Sequence, residues 1–185
     1  MNDVTAMALA IGATRFAACR VAADGSVCGS RQTDVPADAV WEGCRELLLD
    51  VAGEDEIAAI GIASAGPIHA ANGVVAPLGI HGWQDGFRIV APVQRMFPVA
   101  SVCLALDAVC QALAEQSFRT GHSPIVPAEV ASVLSEDAVL MGAGLLALAA
   151  VDSVRLEVPG RGRRIISRSG PAAIHHGWVC ARRHR

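Results

Sequence analysis

Lysine and tyrosine are absent from these 185 residues, so all fifteen cations are arginine. Such usage follows from GC-rich coding more readily than from function and carries no mechanistic weight. Six cysteines are present, yet there is no C-x-x-C and no Cys/His pairing at zinc-ligand spacing, which removes the usual structural zinc frameworks. Cys19, Cys28, Cys44, Cys103, Cys110 and Cys180 stand mostly in apolar runs and read as buried reduced thiols. His69 with His81, and the His175-His176 pair, are poor metal sites by spacing. No basic segment precedes the first apolar stretch, so no signal peptide is read. The longest apolar run, Ala138–Val151, is too short to cross a bilayer. A cytoplasmic location with no membrane partner is the expectation.

What is present is a core-forming composition. With 52% hydrophobic and 18% charged residues the chain is globular, and its length suits one domain or one and a fraction. The net charge of −3 hides an asymmetry. Through Val154 seven Arg face seventeen Asp and Glu, whereas from Arg155 onward eight Arg face Glu157 alone. The basic clusters at 161–164 and 182–185 lack interleaved aromatics, so nucleic acid is not expected as a partner. The tail shows neither helical nor strand period after Val158 and reads as a disordered basic extension.

The chain opens with two apolar runs broken at Gly12-Ala13-Thr14, then Asp24-Gly25 as a hairpin signal and a third strand within 26–35. This is an antiparallel meander opening an α/β domain. Residues 36–52 predict a helix, because Val40, Cys44, Leu47, Leu48 and Val51 fall on one face. Ile57–Ala63 is a short β-branched run ending at Ser64-Ala65-Gly66-Pro67, and residues 99–106 have the same character; both read as strands buried on two faces. Pro92 fits the first turn of a short helix. Trp41 and Trp83 read as packing residues. The second buried strand ends on one carboxylate, Asp107, where a helical period begins. Open α/β sheets place chemistry there, although Asp is also a preferred N-cap.

The order IGIASAGPI, NGVV, GW and LALDAVCQALAE resembles the first domain of the ROK family, bacterial sugar kinases and related repressors. Asn72-Gly73, Gly82-Trp83, Asp107 and the run Ala112-Leu113-Ala114-Glu115 occupy the places of the family's N-G-x-V, G-W, N-D-x-N and A-L-A-E motifs. Glu136-Asp137, Leu140 and Gly142-Ala143-Gly144 resemble its far C-terminal D-A-x-x-G-A-A helix, with Ser135 as a plausible N-cap. The resemblance implies an actin-like ATPase (ribonuclease H-like) first domain with a mixed sheet, the second domain being largely missing. It divides the chain into a ROK-type α/β domain over 1–118, a remnant of the C-terminal helical segment over 119–152, and the basic tail over 153–185. The member it describes is internally truncated and degenerate, without the G-x-G-x-G nucleotide loop or a C-x-C-G zinc segment. Apolar surface left uncovered by the second domain favours self-association.

The same resemblance supplies the expected site. Asp107 would be the general base, accepting the proton of a hexose or amino-sugar hydroxyl as that oxygen attacks the γ-phosphoryl group of ATP. Gly12, Thr14 and Arg15 would lie against the nucleotide phosphates, and Gly66, Pro67, Glu115 and His122 beside the sugar. ATP and Mg²⁺ are the cofactors of an active form; no metal ligand set and no structural zinc are expected. Ala10 stands where the family has a metal-facing Asp, Leu78 where it has a sugar-facing Asn, and Leu106 and Val109 where amides flank the base. Losing those groups removes orientation and affinity, so impaired or absent turnover is expected. Two alternatives accompany this reading: a non-catalytic sugar-binding or subunit-interaction remnant, and a regulator whose basic tail contacts nucleic acid.

Overall fold

The computed structural model describes residues 5–120, 136–156 and 179–181. The antiparallel meander is present: β1 (Thr5–Ile11), β2 (Arg15–Val21) and β3 (Val27–Asp34) pair in sequence. Asp24-Gly25 makes the second turn, with Gly25 at φ 84° and the Asp24 carboxylate accepting from the Ser26 amide at 2.8 Å. Hydrogen bonding by the Ser26 side chain, and then by its amide, holds the Asp24 carboxyl below its ordinary value.

Helix α1 (Val40–Ala52) buries the predicted stripe. It starts four residues later than the periodicity suggests. Ala39 takes the left-handed conformation at φ 53°, and Pro36 lies so close to Gly43 that a Cβ there would stand 2.9 Å from its ring. Residues 36–39 therefore fold back over the first turn instead of extending it. β4 (Ile57–Ser64) then pairs parallel with β1. A small ribbon follows, β5 (Ile68–His69) with β6 (Val74–Val75), closed through Asn72-Gly73. α2 (Val90–Met96) holds Pro92 in its first turn and leads into β7 (Ser101–Leu106), parallel to β4.

α3 (Asp107–Thr120) begins where β7 ends, and α4 is the long helix Glu136–Leu156. The last strand, β8 (Val179–Ala181), pairs antiparallel with β7. It lies within the segment whose sequence carries no period. The sheet order is β3-β2-β1-β4-β7-β8.

Side-chain alternation divides the core into two unlike layers. Met7, Leu9, Ile11, Ile60, Ile62, Val102 and Leu104 face α1 and α2, joined by a stack in which Trp83 lies 4.6 Å from Phe87 and 5.6 Å from Phe16. The opposite face is built from Ala6, Ala8, Ala10, Ala17, Ala59, Ala63, Cys103 and Ala105. Such small residues let α4 approach backbone to backbone. A Cβ on Gly61 would overlap the Ala143 carbonyl oxygen, and one on Gly142 the Cys110 carbonyl oxygen. α4 therefore covers a sheet face shaped to receive it. Cys19, Cys28, Cys44 and Cys110 are reduced, but Cys28 is exposed and Cys103 is disulfide-bonded, correcting the expectation of buried reduced thiols at these two positions. Burial pushes the Cys44 thiol up to about 12. Among the described residues no helix is long and apolar enough to cross a membrane.

Candidate functional site

Three parallel strands end at one level. Ile11 of β1 pairs with Ser64 of β4, and Ser64 pairs with Leu106 of β7. The next residues, Gly12, the Ala65-Gly66-Pro67 loop and Asp107, therefore meet along the carboxyl edge of the sheet, where crevices form in open α/β folds. The first turn is closed by the Gly12 amide donating to the Arg15 carbonyl at 3.0 Å, and the Ala65 amide ties the second loop to the Ile11 carbonyl at 3.3 Å. Gly66 is at φ 71° and precedes a cis Pro67. Only glycine adopts that conformation at no cost, and a Cβ there would stand 2.8 Å from Leu106 Cδ2.

A cleft of about 40 Å³ opens on the α4 side of this edge, lined by Ala10, Ile11, Gly12, Arg15, Ala17, Asp107 and Val139. Among the described residues Asp107 is its single carboxylate. The Oδ1 atom is buried and has no hydrogen-bond partner, so it makes no helix-capping bond. Burial raises the carboxyl from 3.8 to about 6, because desolvation disfavours the charged form. The same charge, after burial, helps push the Cys110 thiol up to about 12. Arg15 reaches Gln32 Oε1 at 3.2 Å and Asp34 at 3.9 Å, so β3 holds its guanidinium at the cleft rim.

The structure thus brings together Asp107, Gly12 and Arg15. Thr14 sits at the exposed tip of the same turn and does not line the cleft. Gly66 and Pro67 lie beside Leu106, on the other face of the sheet edge. Glu115 is exposed on α3, about 12 Å along the helix from Asp107 at 1.5 Å per residue. His122 and Ser135 lie outside the described residues. Ala17 and Val139 were not anticipated as lining residues. The alternation of β2 puts Ala17 on the α4 face and could have pointed to it. Nothing in the sequence of α4, apolar nearly all round, singles out Val139.

The lining does not fit a protein-held divalent cation. Ala10 presents a methyl group beside the turn, and among the described residues no three His, Cys, Asp or Glu side chains converge. What the cleft offers is one part-buried carboxyl, poised near neutrality, beside a tight turn and an arginine. Such a group can accept a proton or a hydrogen bond from a small donor.

The family model that matches is that of the ROK family, over residues 6–148. No curated protein matches the chain. Among solved structures, a ROK family glucokinase from Streptomyces griseus, in complex with glucose and AMPPNP, is 20% identical with a TM-score of 0.54 over 63% of this chain and 38% of its own. A ROK family protein from Streptococcus pneumoniae, in complex with sucrose, is 20% identical with a TM-score of 0.52 over 63% of this chain and 39% of its own. A ROK family transcriptional regulator, a homologue of the E. coli MLC protein, is 18% identical with a TM-score of 0.51 over 63% of this chain and 31% of its own. These likenesses show the fold, that of actin-like ATPases. The chain spans about two fifths or less of the length of these structures.

Proposed function

The chain belongs to the ROK family, and from that premise we propose that it is a sugar-kinase-like protein in which Asp107 receives the proton of a hexose or amino-sugar hydroxyl. The attacking oxygen would be that hydroxyl, and the γ-phosphoryl group of ATP its target. The observation that carries this reading is the buried, unpartnered Asp107 Oδ1 in the cleft beside Gly12 and Arg15. A carboxyl raised to about 6 ionises at neutral pH yet remains basic enough to take a proton. The Gly12–Arg15 turn is the counterpart proposed for the nucleotide phosphates, its compact backbone suiting close approach of oxygens. Any Mg²⁺ arrives with the nucleotide as part of the substrate.

The cleft admits only the reacting hydroxyl and its carbon, leaving the sugar ring outside its mouth. Because Leu106 and Val109 supply no hydrogen bonds there, turnover is slow and the acceptor loosely held. An ADP-release assay over a panel of hexoses and amino sugars, with Asp107→Ala as control, tests this. Slow release that falls at least tenfold in the variant is expected; release unchanged by the variant would refute it.

A second reading has its own support. The small apolar cleft suits weak binding without chemistry, and the chain would then act as a sugar-binding or subunit-interaction module. Hexose-dependent changes at Asp107 without ADP release would favour it. The regulator reading depends on the basic tail, most of which lies outside the described residues.

A further inference from the structure

We propose that a disulfide between Cys103 of β7 and Cys180 of β8 is a reversible redox clasp, closing a covalent loop around the two helices of the cleft and opening on reduction. It stands apart from the reaction proposed for Asp107 and needs neither ATP nor a sugar. Cys103 is disulfide-bonded, whereas Cys19, Cys28, Cys44 and Cys110 are free thiols. The chain has six cysteines, so Cys180 is the partner that remains. Strand register points to the same pair independently. Cys103 stands directly opposite Cys180, with Val102 opposite Ala181 and Leu104 opposite Val179. Opposed residues of an antiparallel pair have Cβ atoms about 4.5–5.5 Å apart, near the roughly 3.5–4.5 Å of a disulfide.

Three features make this bond a clasp and not a fixed staple. β8 has three residues and pairs at the outer edge of the sheet, so it opens locally and admits a thiol without unfolding the core. The segment between the two cysteines contains all of α3 and α4. Closing the bond therefore restrains both helices that line the cleft, through Asp107 and Val139, and Cys103 itself is buried in the cluster that seats Leu140, Ala143 and Ala147 of α4. The pairing also resists reshuffling. Burial pushes the Cys110 thiol, in the same cluster, up to about 12, which leaves almost no thiolate to attack the bond. Closure balances as exchange with a small-molecule disulfide of the glutathione class. One protein thiolate breaks the S–S bond of that reagent and releases one thiolate; the second protein thiolate displaces the other and forms the protein disulfide. The protein pair gives up two protons and two electrons, and the reagent becomes two thiols.

The test compares the full chain equilibrated with glutathione disulfide and with dithiothreitol. Peptide mapping after alkylation should show a single cross-link, Cys103 to Cys180, in the oxidised sample and six alkylated cysteines in the reduced one. On reduction, amide exchange at Val179–Ala181 should quicken by about tenfold or more. The melting temperature should fall by about 4–16 °C, as expected for opening a long loop in a chain of this size. Cys180→Ser under glutathione disulfide should match the reduced parent in both measurements, and Cys28→Ser, at an exposed free thiol, should match the parent in both states. A cross-link through any other cysteine, six alkylated cysteines after oxidation, or exchange or melting that reduction leaves unchanged would overturn the proposal. A failed ADP-release assay would leave these outcomes untouched, so the two readings fail separately.

Discussion

Replacing Asp107 with asparagine should stabilise the protein at neutral pH and leave it almost unchanged in acid. Burial raises this carboxyl from 3.8 to about 6. A group whose folded value lies above its unfolded one favours the folded state most at low pH, below 3.8. That advantage is lost as pH rises through about 6, because the unfolded chain ionises freely and the folded one does not. The full difference corresponds to about 3 kcal/mol at 1.36 kcal/mol per tenfold change. Since the side chain is only part-buried, solvent screening reduces this to about 1–2 kcal/mol. Asparagine keeps the shape and removes the charge. In a chain of this size 1 kcal/mol moves Tm by about 2–4 °C, so the variant should melt about 2–8 °C higher at pH 7.5 and within about 1 °C of the parent at pH 3.5. Thermal unfolding followed by circular dichroism from pH 3.5 to 8 reads this difference directly. Equal melting at every pH, or a less stable variant at pH 7.5, would show that the carboxylate has a partner and that Oδ1 is not sealed.

Two structural predictions follow from the unlike layers of the core. Gly142→Ala would drive a methyl into the Cys110 carbonyl, and because backbone cannot yield as a side chain does, a loss of about 3 kcal/mol or more in urea unfolding is expected. Trp83→Ala empties the space between Phe16 and Phe87 and should cost about 3–5 kcal/mol by the same measurement. A loss below 1 kcal/mol in either variant would contradict the packing described.

Much of this architecture was readable before the fold was known, for physical reasons. The runs ending at Ser64 and Leu106 are continuously apolar, the mark of parallel strands covered on both faces; in the sheet β4 lies beside β1 and β7 beside β4. Asp24-Gly25 and Asn72-Gly73 carry their own turn chemistry. The position of Asp107 at a strand end followed by helical period was enough to place it at the sheet's carboxyl edge. The other elements were hidden for equally physical reasons. The start of α1 depends on Pro36 folding onto Gly43, a contact periodicity does not encode. β8 has three residues, too few to show alternation. α4 is apolar nearly all round, so no stripe tells which residue meets the cleft, and Val139 emerges only from the packing of Gly61 and Gly142. The capping alternative for Asp107 was excluded only when its Oδ1 proved to be without a partner.

The central claim is that Asp107 is a part-buried proton acceptor at the meeting point of three strand ends. Selective ¹³C labelling of aspartate carboxyls, with Asp107→Asn to assign the signal, allows its titration to be followed directly by NMR. Half-protonation near pH 6 is the predicted result. A midpoint at or below 3.8 would contradict it.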